Sequence, residues 1–360
     1  MLNPPTNREP GVTQAVNTPH TNPIAQASHV KTPTYLWKTA ALILFLASPL
    51  LRAQELTVLG GTASSGTFGK AETGWEVDYR QDLYKYFDAS VSYINEGHFP
   101  SHLRDGTAWE GWTNLPFWND KVALSIGAGI YYYYDTEPLG AGGSADIHGT
   151  APIYSFTATG YFSDRWFYRF GINRIEPAHD IRDTTFMVGV GYWFGPNRRP
   201  EGNKPNAGAP EPDYVTPPQL SVFGGQDIVN TIFSDKAWAG AVEYRQGVLP
   251  HLDGTATFIY EGNPKTTRRS GVAFQLWPVN TFFDDKTSVG IGVGPYFFLD
   301  RKHPTNTSAT NPAAIAPLVS FTMARQLSDS WVSRLIWDRV TSSYNRDADI
   351  FLIGLGYSWR

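Results

Sequence analysis

A short phrase that returns at a constant distance constrains this chain more than any other feature. Residues 77–81 (VDYRQ) return as residues 242–246 (VEYRQ), and residues 94–97 (INEG) return as residues 259–262 (IYEG). In both cases, residue n corresponds to residue n + 165, and the same offset relates Trp112 to Trp277. An offset that holds over most of the chain is the signature of a duplicated structural unit. We therefore predict two copies of one fold, in residues 54–195 and 220–360.

The segment before the first copy has the composition of a leader followed by a signal peptide. Residues 1–33 are rich in Pro, Thr and Asn and show no periodicity, which is typical of a segment without a packed core. Lys38 then precedes a short apolar stretch that ends near Ala53. A positive charge, a short apolar core and a small residue together indicate a secretory signal peptide. We predict leader and signal peptide in residues 1–53, with the mature chain beginning near Gln54.

Apolar and polar residues alternate through both copies, which is the pattern of β-strands. In the last segment, for example, Ile353 and Leu355 alternate with Gly354 and Gly356. Turn residues divide each copy into eight such segments, so we predict eight antiparallel strands per copy. The third strand is expected to end near residue 96 and the fifth near residue 135. Residues 196–219 are rich in Pro and Gly and are predicted to form a linker.

The two faces of these strands differ in a way that is typical of membrane barrels. One face carries Gly, Ser and Thr with opposite charges, which suits the interior of a narrow barrel. The other face carries aliphatic residues at mid-strand and aromatic residues near the ends, like a lipid-facing belt with its girdles. The predicted fold is therefore all-β, with two tandem eight-stranded antiparallel transmembrane β-barrels in the outer membrane of a Gram-negative bacterium. Interior ion pairs are predicted between Asp78 and Arg80 and between Glu243 and Arg245.

Two other architectures fit the same alternation and remain open at this stage. A single sixteen-stranded barrel would enclose a water-filled lumen. A secreted pair of sandwiches or lipocalin-like barrels would be soluble. The predicted linker is long beside the short turns within each copy, which favours two small barrels.

Composition and missing motifs narrow the range of functions. The chain has no cysteine, which excludes disulfides and thiolate metal sites. Its net charge is −4, and no basic stretch indicates nucleic acid as a partner. A phosphate-binding glycine loop and an HExxH zinc motif are both absent.

Four of the eight histidines, together with several carboxylates, gather in the predicted outer loops of the first copy. Such groups can form an acid/base pair or a divalent metal site, and no other cofactor is expected. The candidates are Glu96, His98, His102, Asp105 and His148, with Asp146, His179 and Asp180 in the same predicted loops. The second copy keeps Glu96, as Glu261, but not the other candidates. Asn263 takes the place of His98, Thr267 of His102, Ser270 of Asp105, Ala313 of His148 and Tyr344 of His179.

Residues 93–97 (YINEG), residues 126–129 (IGAG) and a seventh strand that ends in a polar loop resemble the lipid A 3-O-deacylase barrels of Gram-negative outer membranes. The resemblance covers each copy once and implies an eight-stranded barrel. It also implies ester cleavage through a His-x-Ser motif late in the seventh strand. Here those positions read Asn173-Arg174-Ile175 and Asp338-Arg339-Val340. A serine needs an adjacent base to attack an ester, so this chemistry is not expected.

Three functions follow as hypotheses. The first is a non-catalytic envelope protein that binds or organises lipopolysaccharide or exported polysaccharide. The expected partners are therefore outer-membrane lipid or lipopolysaccharide, with polysaccharide as a further candidate. The second is a hydrolase that acts on outer-membrane lipid or glycan through the candidate residues of the first copy. The third is a pore for small solutes or glycan export. The missing His-x-Ser motif favours the first, and the loss of the candidate histidines from the corresponding positions of the second copy keeps the second open.

Overall fold

Two separate closed barrels form this structure, a computed structural model, and each consists of eight antiparallel strands. The predicted leader, most of the predicted linker, His179 and Asp180 lie outside the described residues. Those residues are 54–359 except 67–68, 85, 100–101, 120, 140–142, 178–181, 195–214, 232–233, 266, 284–285 and 303–313.

The first eight strands form barrel 1, in which each strand pairs with the next and the first strand pairs with the eighth to close the sheet. The first strand begins and the eighth strand finishes at the same side of the barrel, here called the inner end. The connections between the third and fourth strands and between the fifth and sixth strands lie at the opposite side, here called the outer end. The strands are β1 (Gln54–Ser65), β2 (Lys70–Tyr84), β3 (Phe87–Phe99), β4 (His102–Phe117), β5 (Val122–Leu139), β6 (Gly143–Tyr161), β7 (Trp166–Ile175) and β8 (Asp183–Trp193).

Barrel 2 repeats this order and closes through the pairing of its first and last strands. The sixteen-stranded alternative is thereby excluded, because β8 pairs with β1 and does not continue into the next strand. The strands are β9 (Gln219–Val229), β10 (Asp235–Leu249), β11 (Leu252–Tyr260), β12 (Arg268–Phe282), β13 (Thr287–Lys302), β14 (Ile315–Gln326), β15 (Trp331–Val340) and β16 (Ala348–Ser358).

Several strands of barrel 1 are longer than predicted, and the candidate residues lie on strands where loops were expected. β5 continues to Leu139, and β6 begins at Gly143. β3 and β4 pair up to Phe99 and His102. The physical reason is that strand pairing uses backbone groups. It can therefore continue beyond the point where the apolar alternation of the lipid-facing belt stops.

The outward faces of the barrels expose the aliphatic residues that a soluble protein would bury. Ile126, Ile130 and Val188 are each between 58% and 65% exposed, and Ile353 in barrel 2 is 64% exposed. Closed barrels with such exteriors are built for lipid, because closure leaves no unpaired sheet edge in the hydrocarbon. The predicted fold class is confirmed. No helix in the described part of the chain has the length and apolarity to cross a bilayer.

Charged and aromatic side chains fill the interior of barrel 1. Arg80 stacks on Trp112 with its guanidinium carbon 3.7 Å from the ring centroid, and its Nε lies 3.7 Å from Asp78 Oδ2. Arg169 donates to the same Asp78 oxygen at 2.9 Å. Gly127 makes room for the indole, because a Cβ there would lie 2.7 Å from the Trp112 ring.

Barrel 2 repeats this interior. Arg245 Nε donates to Glu243 Oε1 at 2.9 Å and stacks on Trp277, with its guanidinium carbon 4.4 Å from the ring centroid. Asp253 Oδ2 lies 3.3 Å from Arg245 Nη1. An eight-stranded barrel is only wide enough for its own side chains, and these large groups occupy the space a solute would need.

Candidate functional site

Glu96, the first of the five candidates, lies inside barrel 1 and not on an outer loop. It is fully buried and accepts hydrogen bonds from Arg104 Nε at 3.0 Å and Arg104 Nη2 at 2.8 Å. The Tyr131 hydroxyl donates to it at 2.8 Å. Arg104 also pairs with Asp183. These partners satisfy the carboxylate in the low-dielectric interior, where an unpaired charge would be costly.

Barrel 2 contains the same arrangement, which indicates that Glu96 has a structural role shared by both copies. Arg269 Nε donates to Glu261 Oε2 at 2.7 Å, and both side chains are fully buried. Tyr296 occupies the position of Tyr131. An arrangement needed in both barrels for folding does not by itself indicate chemistry in one of them.

His102 lies at the outer mouth of barrel 1 and meets two carboxylates that were not among the predicted candidates. Its Nδ1 atom is 2.8 Å from Asp135 Oδ2 and 3.5 Å from Glu137 Oε1. The Asp135 side chain is buried, whereas His102 is 16% and Glu137 36% exposed. We call these three residues the mouth cluster. The signal that could have found it is the spacing of Asp135 and Glu137, which places both on one face of an extended strand.

Asp105 and His148 face barrel 2. Asp105 accepts a hydrogen bond from the Tyr93 hydroxyl at 2.5 Å and forms an ion pair with Arg339 at 3.2 Å. His148 Nε2 lies 2.7 Å from Asp347 Oδ2. Two of the five candidates are therefore engaged in contacts between the barrels.

These contacts belong to an interface that runs along both barrels, here called the seam. At the outer end, Arg339 is buried and also pairs with Asp349 at 2.6 Å. Nearer the inner end, Asn280 Nδ2 donates to the Tyr79 hydroxyl at 2.9 Å. At the inner end, the ring centroids of Tyr192 and Phe283 are 5.8 Å apart. The barrels thus stand side by side with their outer ends together. The outer part of the seam consists of Tyr93, Asp105, Tyr134, Asp146, His148, Trp337, Arg339, Asn345, Asp347 and Asp349.

The two copies differ at the positions that meet in the seam. Arg339 corresponds to Arg174 in barrel 1, whose side chain is 39% exposed and contacts Glu176 at 3.1 Å and Thr184 at 2.9 Å, both in its own barrel. Tyr134 is buried under the Arg339 guanidinium, whereas its counterpart Leu299 is 68% exposed. This divergence explains part of the asymmetry seen in the sequence, because Asp105 and His148 meet residues of the second barrel in the seam. The other differing pairs are Asp105 and Ser270, His148 and Ala313, Ile172 and Trp337, Arg182 and Asp347, and Thr184 and Asp349.

His98 remains exposed and lines a small cleft at the outer end of the seam. The bulge that precedes it includes Gly97, whose φ of 87° suits glycine. The cleft has a volume of about 50 Å³ and takes its walls from both barrels. Barrel 1 contributes Asn95, Gly97, His98, Leu103, Arg104, Asp105 and Thr136, and barrel 2 contributes Asn230, Thr231, Ser234 and Arg339.

The five candidates therefore do not form one constellation. Glu96 belongs to an interior ion pair, His102 to the mouth cluster, and Asp105 and His148 to the seam. His98 lines the cleft with Asp105. Nucleophilic or acid/base catalysis needs its groups within hydrogen-bond reach of one another and of the reacting atom.

The exterior of the barrels also fixes their location. Membrane-spanning barrels with an apolar outer belt and a polar interior are outer-membrane structures. The predicted location in the outer membrane is confirmed.

Comparison with known proteins gives neighbours by fold alone. No family model and no curated protein matches the chain. The N-terminal β-barrel domain of Pseudomonas aeruginosa OprF is 12% identical and covers 40% of this chain and 98% of its own, with a TM-score of 0.34. Neisserial surface protein A is 11% identical and covers 39% and 95%, with a TM-score of 0.32. The attachment invasion locus protein Ail of Yersinia pestis is 14% identical and covers 40% and 99%, with a TM-score of 0.31. The specific resemblance to lipid A deacylases stays a prediction.

Proposed function

We propose that this protein is a non-catalytic envelope protein that binds the sugar portion of lipopolysaccharide or of an exported polysaccharide. The binding site is the cleft between the barrels. One observation carries the proposal: the cleft is at the outer end and combines amide, hydroxyl, imidazole, carboxylate and guanidinium groups from both copies. Sugars present many hydroxyl groups, which both donate and accept hydrogen bonds. This set of side chains supplies partners for both roles.

The size of the cleft restricts what can bind. A volume of about 50 Å³ is far below the roughly 300–1,000 Å³ of sites that enclose a small molecule. It can hold the edge of one sugar ring while the rest of the ligand lies along the outer surface. This favours a ligand that is anchored in the membrane or extended over the surface.

An aromatic surface stands beside the cleft. Trp75 on β2 pairs in register with Asn95, which lines the cleft. Its ring centroid lies 5.3 Å from that of Tyr93, and 44% of the residue is exposed. Such an amphipathic ring can pack against the apolar face of a sugar while its polar edge stays in the headgroup region.

The two alternative functions have less support. A hydrolase would need its reacting groups together, and the candidates are separated among the interior, the mouth and the seam. A pore would need a continuous lumen, and Trp112, Arg169, Arg245 and Trp277 are buried inside the barrels.

The proposal is tested by titrating the purified protein in detergent with lipopolysaccharide and, separately, with soluble capsular-type polysaccharide. The double variant His98→Ala, Asn230→Ala removes one polar group from each wall of the cleft. We expect it to weaken binding of one of these ligands about tenfold, which corresponds to the loss of roughly one or two hydrogen bonds.

Asn263→Ala is the matched control, because Asn263 takes the place of His98 in barrel 2 and is exposed away from the cleft. It should bind like the unaltered protein. Equal binding by the double variant would contradict the proposal. A change in lipid A or surface glycan, seen by mass spectrometry only in cells that make the protein, would instead favour the hydrolase.

A further inference from the structure

The mouth cluster has no part in the proposed sugar site, and its composition points to a different ligand. We propose that His102, Asp135 and Glu137 bind one divalent transition-metal ion, with Zn²⁺ the best match. The inference is independent of the proposed function, because none of the three residues lines the cleft between the barrels.

The extended strands bring the three ligands together. Asp135 and Glu137 are two residues apart on β5, so their side chains project from the same face. β4 is the hydrogen-bonded neighbour of β5, with Leu103 paired to Thr136. His102, one residue before Leu103, therefore lies beside Glu137 on that face. All three positions are set by strand pairing, so the ligands are held by rigid elements and not by a loop.

The distances suit a metal ion. Zn²⁺ binds imidazole nitrogen and carboxylate oxygen at roughly 2.0–2.2 Å, which places two ligand atoms of a tetrahedron roughly 3.3 Å apart. His102 Nδ1 lies 3.5 Å from Glu137 Oε1 and 2.8 Å from Asp135 Oδ2, and all the ligand atoms lie within 4.8 Å of one another. Small side-chain rotations can bring all three to metal-binding distance.

The donor set selects the kind of cation. One imidazole with two carboxylates suits Zn²⁺ and similar ions, whereas Ca²⁺ takes six to eight oxygen ligands. Three protein ligands leave at least one coordination position open. Since His102 and Glu137 are partly exposed at the mouth, that position faces the outside, where water or an anionic group can occupy it.

The charge around the cluster favours a cation as well. Just inside the mouth, Arg104 pairs with both Glu96 and Asp183. With Asp135 and Glu137, the acidic groups here outnumber the Arg104 guanidinium. An excess of acidic groups in a concave site raises the local concentration of cations.

Barrel 2 lacks this site, although it descends from the same unit. Its corresponding residues are Thr267, Asp300 and Lys302, so only the aspartate of the three metal ligands is kept. Asp300 there lies 3.2 Å from Arg268, in an ordinary ion pair. The seam explains the divergence of Asp105 and His148, but it does not involve the mouth cluster. A metal site in barrel 1 explains why His102 and Glu137 have no counterparts in barrel 2.

The test is a calorimetric titration of the metal-stripped, full-length protein in detergent with Zn²⁺ and, separately, with Ca²⁺. We expect one Zn²⁺ per chain, and binding at least tenfold weaker for His102→Ala and for Glu137→Gln. Ca²⁺ should bind much more weakly than Zn²⁺. Co²⁺ substitution should give the visible absorption of a four-coordinate ion, which His102→Ala should abolish.

Two controls separate this site from other surface histidines and carboxylates. His98→Ala and Asp300→Asn should both bind Zn²⁺ like the unaltered protein. Heat-modifiable migration on a gel shows whether each variant still forms its barrels. Because His102 and Glu137 are partly exposed, their variants should fold. Unchanged Zn²⁺ binding by His102→Ala, or no binding by the unaltered protein, would overturn the inference. Neither result would affect the lipopolysaccharide titration, which tests the cleft separately.

Discussion

Replacing Arg339 by alanine is expected to release the two barrels from each other. Arg339 is 3% exposed at the seam and pairs with Asp105 at 3.2 Å and Asp349 at 2.6 Å. Its loss leaves two carboxylates facing each other with no cation between them. Breaking a buried ion pair on one side costs about 3–5 kcal/mol, so the equilibrium constant for docking should fall at least roughly 100-fold.

The measurement is a distance distribution between spin labels on the two barrels. The chain has no cysteine, so Lys70→Cys and Lys265→Cys place one label on the outer end of each barrel without interference. The unaltered seam should give one narrow distribution, and Arg339→Ala should broaden it.

Arg174→Ala is the matched control, because Arg174 is the same position in barrel 1 and is 39% exposed. Its distribution should stay narrow. A narrow distribution for Arg339→Ala would mean that the polar seam does not hold the barrels together.

The second large effect is expected inside barrel 2, at Arg245. This side chain is fully buried and lies 2.9 Å from Glu243 and 3.3 Å from Asp253. Arg245→Met leaves both acids without their cation and removes the stacking on Trp277. The free energy of unfolding of barrel 2 should fall by about 3–5 kcal/mol, which can be measured as a shift of the guanidinium chloride midpoint.

Two further variants decide whether the unpaired charges of Glu243 and Asp253 cause the loss of stability in Arg245→Met. Arg245→Met combined with Glu243→Gln and Asp253→Asn removes the acids as well, and we expect it to recover much of the loss. Arg268→Ala removes an arginine of the same barrel whose side chain is 40% exposed and lies 3.2 Å from Asp300, and it should cost no more than about 1 kcal/mol. Equal midpoints for Arg245→Met and Arg268→Ala would show that the interior pair is not needed.

The general fold could be predicted from the sequence because both of its signals can be read along the chain without knowledge of which residues meet in space. The 165-residue offset showed two copies, and the alternation showed which face of each strand meets lipid. Phe351, Ile353 and Leu355 are indeed exposed on the outward face of β16. Closure into two barrels then follows from the cost of an open sheet edge in hydrocarbon.

The seam could not be predicted in the same way, because alternation gives the face of a residue and not its neighbour in space. One signal was available, however. Arg339 lies on the same outward face of β15 as Leu335, and Asp349 lies on the same outward face of β16 as Phe351. Leu335 and Phe351 face lipid. A charge at such a position is costly unless it finds a partner outside its own barrel.

The candidate site was predicted only in part, for a related reason. His102 was among the candidates, but its partners Asp135 and Glu137 were missed because the fifth strand was expected to end near residue 135. Glu96 was placed on a loop, although its burial depends on Arg104 and Asp183, and Asp183 is far along the chain. Strand ends beyond the lipid belt lack apolar alternation, so sequence periodicity cannot locate them.

Cleavage between the barrels tests the central claim, two separate barrels held by a polar seam, most directly. A protease site introduced within residues 196–214 would divide the folded protein into two fragments. We predict that both fragments remain heat-modifiable barrels and copurify, and that Arg339→Ala separates them while each stays folded. Fragments that unfold together, with neither forming a heat-modifiable species of its own, would contradict the two-barrel account.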